Sequence, residues 1–152
     1  PEDDCYLAGL PGVEVVRFMA RLSGLPSIEA LRRAHEILDF CGTEEERYRN
    51  VETYSSGMKQ KLKFAQAIVH DPPLLILDEP TRGIDVGAKA EIQKLVLSLS
   101  RQGMSFLFIS SELEEVLRVS DRIAVLRDRT KVKEISGEEM NQHEIMQAIA
   151  GG

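Results

Sequence analysis

Several features that would assign this 152-residue sequence to a special class of protein are missing. No apolar run approaches the roughly 18 residues of a membrane-spanning helix, and no signal peptide is recognisable. The formal net charge is −6 and there is no long basic block, which argues against nucleic acid as the main partner. The two cysteines, Cys5 and Cys41, have neither CxxC spacing nor a disulfide pattern, so we expect reduced, buried thiols in a cytosolic protein. An initiator methionine is also lacking, and the loop-like start leads us to expect a fragment of a longer protein.

The composition that remains is ordinary for a globular protein, with 43% apolar and 29% charged residues. The length suits one domain, or one domain with a lobe. Up to about residue 53 the apolar spacing predicts helices only, over Gly12–Leu22 and from Ser27, taken as an N-cap, to Cys41. The acidic run at 44–46 is interpreted as a solvated helix start rather than a metal site, because no other ligands lie nearby.

The second half of the sequence alternates strand and helix patterns. Strands are predicted after Leu74, at 105–110 and at 122–126, with an edge strand at 131–135. Helices are predicted at 87–101, 112–118 and 137–149. This order indicates an α/β fold with parallel pairing.

The segment Leu74–Asp85 joins an apolar run to two carboxylates. The run favours a strand buried on both faces, as in a parallel sheet. Ligands of open α/β sheets bind beyond the carboxyl ends of the strands, which is where Asp78 and Glu79 stand. Taken alone, the segment fits a strand ending in a polar turn at least as well, since Asp and Glu are common turn residues.

A Ser/Gly cluster at 55–57 precedes another amphipathic helix. A helix N-terminus offers free N–H groups and the positive end of the helix dipole, which together can bind an anion. For these three residues alone, an ordinary serine N-cap is the better interpretation.

Together these segments resemble the ATP-binding cassette (ABC) ATPases of the P-loop superfamily. Residues 54–58 are similar to the signature motif of that family, 75–79 to its Walker B strand, and 83–85 to its D-loop. Ser110-Ser111-Glu112 lies where the family places its switch histidine. The resemblance covers most of the chain and implies a partial P-loop NTPase core with parallel strands flanked by helices, plus an all-α helical subdomain at the N-terminus. The implied boundaries are residues 1–70 for the helical subdomain and 71–152 for the second half of the core.

The resemblance also implies a role for each matching residue. Asp78 would hold Mg²⁺, Glu79 would be the general base, and Ser111 would occupy the switch position. The signature residues would contact the γ-phosphate of ATP bound on an opposite subunit, and Asp85 would line that interface. The signature residues so assigned are Ser55, Ser56, Gly57 and Met58.

Parts of the sequence depart from the family pattern. No Gly-x-x-x-x-Gly-Lys-Ser/Thr phosphate loop occurs, and the stacking aromatic and glutamine loop are missing, so this chain alone is expected not to bind ATP well. Tyr54, Ser56 and Met58 replace the usual Leu, Gly and Gln of the signature. Ser111 replaces the histidine, as in some sugar-importer cassettes, which suggests a weakly hydrolytic site.

The resemblance implies a transport ATPase with ATP and Mg²⁺ as cofactors, bound to the cytoplasmic face of a membrane. Its partners would be a second nucleotide-binding domain and a membrane permease. The back half (78–89, 109–117 and 120–123) looks like the second cassette of monosaccharide importers, whereas the front half looks more like exporter-type ATPases. Two alternatives stay open: an ABC ATPase acting on soluble partners, and a binding module that keeps the fold without nucleotide.

Overall fold

A computed structural model describes residues 7–151, so Cys5 lies outside the described residues. Its helices are α1 (Gly12–Leu22), α2 (Ser27–Phe40), α3 (Ser56–Ile68), α4 (Val86–Arg101), α5 (Leu113–Val119) and α6 (Gln142–Ala150). The strands are β1 (Leu74–Asp78), β2 (Ser105–Ile109), β3 (Arg122–Arg127) and β4 (Thr130–Ser136). Short 3₁₀ helices span Glu45–Tyr48, Val51–Thr53 and Gly137–Glu139. Among these helices, none has the length and hydropathy that a membrane crossing requires.

The chain forms two compact units. The first unit contains the described residues up to Leu75 together with Thr81–Ser105, and the second contains Ile76–Pro80 together with the residues from Phe106 onward. These units are defined by contacts within the chain. The subdomain boundary at residue 70 stays a prediction.

The first unit is a helical assembly in which α1 packs on α2 and α3, and α3 packs on α4. Its core includes fully buried side chains from every one of these helices: Val15, Val16, Leu38, Leu62, Ile68, Ile92 and Val96. The prediction of an all-helical start is confirmed, since residues 7–53 contain no strand beyond an isolated bridge.

Two details predicted for the first two helices are wrong. Ser27 does not cap α2 with its side chain; the helix starts at Ser27, whose hydroxyl accepts a hydrogen bond from Arg17 at 2.9 Å. Leu22 and Ile28, two of the apolar residues whose helical spacing leads us to expect burial on these helices, are 66% and 88% exposed. They lie in the last turn of α1 and the first turn of α2, so the apolar spacing of each helix extends into a turn where its side chains are exposed.

A buried arginine stabilises the connection after α2. The Arg47 side chain is only 7% exposed and forms an ion pair with the Asp39 carboxylate. It also donates hydrogen bonds to the carbonyls of Glu44, at 2.5 Å, and His35, at 3.3 Å. A buried charge needs such partners, so this cluster fixes the turn between α2 and the first 3₁₀ helix.

In the second unit, β3 and β4 form an antiparallel hairpin that packs on α6. Ile123 pairs with Ile135, and both belong to a core with Val125 and Ile145. The edge strand predicted at 131–135 is confirmed as β4. The prediction that 122–126 adds a parallel strand is wrong for residues 7–151, because β3 pairs with β4 in a separate two-stranded sheet.

β1 and β2 are neighbouring strands of a parallel sheet, as predicted. Burial of β1 on both faces is contradicted: Leu77 is buried, whereas Ile76 is 60% exposed. Leu107 and Ile109 of β2 are likewise exposed. A strand is buried on both faces only where a layer of structure packs on each, and the apolar run does not reveal whether the described residues supply both layers.

Candidate functional site

The end of β1 turns sharply at Glu79. This residue has a φ of +46°, a left-handed conformation that is uncommon for a residue with a Cβ, and its N–H donates to the Ile109 carbonyl at 2.9 Å. The Glu79 carboxylate then accepts a hydrogen bond from the Ser111 N–H at 2.9 Å. The fold therefore brings together the predicted base and the predicted switch residue, through the serine backbone rather than its hydroxyl.

Asp78 is exposed at the last position of β1. No side-chain hydrogen bond or ion pair joins its carboxylate to another residue of the range 7–151, and that range holds no group of three or more metal-ligating side chains. Mg²⁺ is commonly held by one or two carboxylates together with several waters. A single open carboxylate beside Glu79 fits that mode of binding.

The start of α3 is an ordinary serine N-cap in this structure. The Ser55 side chain accepts from the Met58 N–H at 3.2 Å, which satisfies one of the free donors of the first turn. Ser56 is the first helical residue and is exposed. Binding of a phosphate by these residues stays a prediction.

Gly57 is a point of close contact between α3 and α4. A Cβ at this position would lie 2.8 Å from the Ala88 Cβ and 3.7 Å from a carboxylate oxygen of Asp85. Asp85 caps α4 by accepting from the Ala88 N–H at 3.0 Å. The predicted signature and D-loop residues therefore meet inside the first unit, and the close packing of α3 on α4 by itself favours glycine at 57.

Tyr54, which departs from the family signature, is well accommodated. Its ring is buried, and its hydroxyl donates to the Glu46 carbonyl at 2.6 Å. A Cβ on Gly12 would overlap that hydroxyl oxygen, so the glycine in α1 provides the space for the tyrosine. This pairing cannot be predicted from the sequence, because nothing in the spacing of the two residues indicates that they touch.

The predicted site residues belong to two different units. The second unit contains Asp78, Glu79 and Ser111, and the first contains Ser55, Ser56, Gly57, Met58 and Asp85. Of the histidines, His35 lies against Arg47 and Tyr48, and His143 lies 3.0 Å from Gln147.

Known proteins resemble this chain both in sequence and in fold. The chain is 54% identical over 103 residues to the fructose import ATP-binding protein FruK of Bifidobacterium longum, covering 67% of this chain and 20% of that protein. It is 42% identical over 139 residues to the ribose import ATP-binding protein RbsA of Hahella chejuensis, covering 88% of this chain and 28% of that protein. The chain thus spans only 20–28% of the length of these relatives.

The fold is also that of a solved structure, CbiO1 from Clostridium perfringens, described as part of an ABC transporter complex. The TM-score is 0.82 at 24% identity, over 95% of this chain and 58% of that one. A family model described as ABC transporter matches residues 7–82, which is half of the chain. With the carboxylates of β1, the signature-like helix and these relatives in agreement, the chain belongs to the ABC transporter family.

Proposed function

We propose that the chain is part of the ATP-binding subunit of a monosaccharide importer, in which ATP hydrolysis drives sugar uptake across a membrane. The observation that carries this proposal is the hydrogen bond from the Ser111 N–H to Glu79 beside the open carboxylate of Asp78. The sugar class is supported by the fructose and ribose importers to which the chain is similar.

Each carboxylate has a distinct task in this proposal. Glu79 accepts a hydrogen bond from Ser111 through Oε1, and its carboxylate orients and polarises the attacking water as general base. Asp78 would hold Mg²⁺, and a bound Mg²⁺ neutralises charge that develops on the phosphate oxygens.

The remaining parts of the site come from elsewhere in the assembly. The 152 residues contain no phosphate-binding loop, so ATP is held mainly by residues that this sequence does not include. The start of α3 would contact the γ-phosphate of ATP on a second nucleotide-binding domain, and Asp85 would line the same interface. The helical part of the first unit would dock a membrane permease, and the protein would then lie at the cytoplasmic face of the membrane.

Sugar uptake tests this function. Cells that depend on the natural full-length protein would carry Glu79→Gln, with Glu114→Gln as the matched control, since Glu114 is an exposed glutamate of the same unit. Uptake of labelled ribose or fructose should fall to background in the first strain and stay at the wild-type level in the control. Equal uptake in the Glu79→Gln strain, at equal protein abundance, would contradict the proposal.

A further inference from the structure

The loop between β2 and α5 is held by a short chain of hydrogen bonds inside the second unit. Ser110 Oγ donates to Glu115 Oε2 at 3.1 Å and accepts from the Glu112 N–H at 3.0 Å. The next residue, Ser111, donates its N–H to Glu79. Glu115 is thus connected to the predicted base through two consecutive serines.

The position of Glu115 calls for a specific explanation. It lies in the first turn of α5 and is only 4% exposed, whereas its neighbour Glu114 is exposed. Acidic residues are favoured in the first turn of a helix, but Glu114 meets that preference while remaining in water. Burying a carboxylate costs free energy unless hydrogen bonds compensate for it, and the hydrogen bond from Ser110 to Oε2 offsets part of that cost.

We propose that Glu115 is a positioning residue for Glu79. By fixing the Ser110 hydroxyl, Glu115 holds the loop so that the Ser111 N–H points at the Glu79 carboxylate. A general base acts only from within hydrogen-bonding distance of the proton that it accepts, and a small displacement of such a group is costly. The catalytic part of this inference rests on the proposed function, and it adds a residue that touches neither nucleotide nor metal.

The structural half of the proposal can be tested on the 152-residue chain itself. Hydrogen exchange of the Ser111 amide, followed by NMR, should be at least about tenfold faster in Glu115→Ala than in the unchanged chain, because the loop no longer holds that donor in place. Glu115→Gln keeps an acceptor for Ser110 and should restore protection, and Glu114→Ala controls for loss of a first-turn carboxylate. Equal protection of Ser111 in Glu115→Ala and Glu114→Ala would overturn the proposal.

If Glu115→Ala fails to fold, substitutions of Ser110 test the same hydrogen bond by changing its donor. Ser110→Ala removes the donor to Glu115, whereas Ser110→Thr retains a hydroxyl. Faster exchange of the Ser111 amide in Ser110→Ala than in Ser110→Thr supports the proposal that Glu115 acts through the Ser110 hydroxyl. The same rate in both variants refutes it.

The catalytic half is tested by ATPase kinetics of the natural full-length protein in complex with its permease. Glu115→Ala should lower kcat by about tenfold to a hundredfold and leave KM for ATP unchanged, since the displaced group is the base and not a nucleotide contact. The double variant Ser110→Ala/Glu115→Ala should have a kcat no lower than that of the slower single variant, because both residues act through the same chain of hydrogen bonds.

The same assay separates failure of this inference from failure of the proposed function. If Glu79→Gln abolishes turnover while Glu115→Ala keeps the full kcat, Glu115 is not a positioning residue and the function stands. If Glu79→Gln keeps full turnover, the proposed function fails, and the catalytic part of the inference fails with it. The positioning role would also be overturned if Glu115→Ala lowered kcat/KM only by raising KM for ATP, with kcat unchanged.

Discussion

The close contact between α3 and α4 gives a quantitative prediction for Gly57→Ala. The new Cβ would lie 2.8 Å from the Ala88 Cβ, a separation that real Cβ atoms almost never show, so the two helices must move apart. Inserting a carbon into a packed interior costs about 1–3 kcal/mol. Alanine gains about 0.5–1 kcal/mol over glycine in a helix, so we expect a net destabilisation of about 0–2.5 kcal/mol.

Two further variants show whether this cost comes from the contact with Ala88. Gly87 occupies the equivalent second position of α4, where a Cβ would meet only the carboxylate oxygen of Asp85, at 3.1 Å. Because that oxygen belongs to a side chain that can move, Gly87→Ala should change the stability by less than about 1 kcal/mol. Ala88→Gly, in turn, removes the atom with which the new Cβ of Gly57→Ala would clash.

The assay is urea unfolding followed by tyrosine fluorescence. The sequence has no tryptophan, and the two described tyrosines, Tyr48 and Tyr54, belong to the first unit together with Gly57 and Ala88. With the clash removed and the helix gain of alanine retained, the double variant Gly57→Ala/Ala88→Gly should be about 0.5–1 kcal/mol more stable than Ala88→Gly alone, which corresponds to a coupling free energy of about 1–3 kcal/mol. Additivity of the two single variants within about 0.5 kcal/mol would refute the packing argument.

Three other predictions concern the cores and the titratable groups. Ile135 is fully buried in the second unit, so Ile135→Ala should cost about 2–5 kcal/mol in urea unfolding monitored by circular dichroism, against little change for exposed Val132→Ala. Burial raises the pKa of the Cys41 thiol to about 12, so the native chain should keep one thiol that does not react with a disulfide reagent at pH 8, and urea should expose it. The hydrogen bond from Arg47 holds the pKa of the Asp39 carboxyl below its ordinary value of 3.8, so the pair stabilises the first unit above that pH and is lost as the pH falls through the lowered pKa. The fall in urea midpoint between pH 7 and pH 3 should therefore be smaller in Asp39→Asn; an equal fall would show that the pair is not responsible.

The elements that carry a strong periodic pattern were predictable from the sequence. Gly12–Leu22 is found as α1 with the bounds that its apolar spacing indicated, and Leu74–Asp78 is found as a strand that ends in the two carboxylates. The hairpin of β3 and β4 was missed for a physical reason. Asp128 and Arg129 both adopt positive φ at its turn, and this conformation is typical of Asn-Gly or Asp-Gly rather than of an arginine.

Much of the candidate site could not be derived from spacing, because its contacts join distant parts of the chain. The sequence shows that Ser111 follows the end of a strand. It does not show that the backbone N–H of Ser111 reaches Glu79. Likewise, Gly57 looks like a flexible helix start, and only the position of Ala88 shows that the space is filled. The exposed face of β1 was missed because a continuous apolar run shows that a strand can be covered, not what covers it.

The measurement that bears most directly on this account is the ATPase turnover of the natural full-length protein, assembled with its permease, in the Glu79→Gln variant. Positioned general bases contribute about 10²–10⁴-fold to rate, so turnover should fall by at least about a hundredfold. Binding of labelled ATP should persist, because Glu79 acts on the attacking water and not on the nucleotide. Turnover within about twofold of the unchanged protein would remove Glu79 as the base and contradict the assignment of the β1 carboxylates.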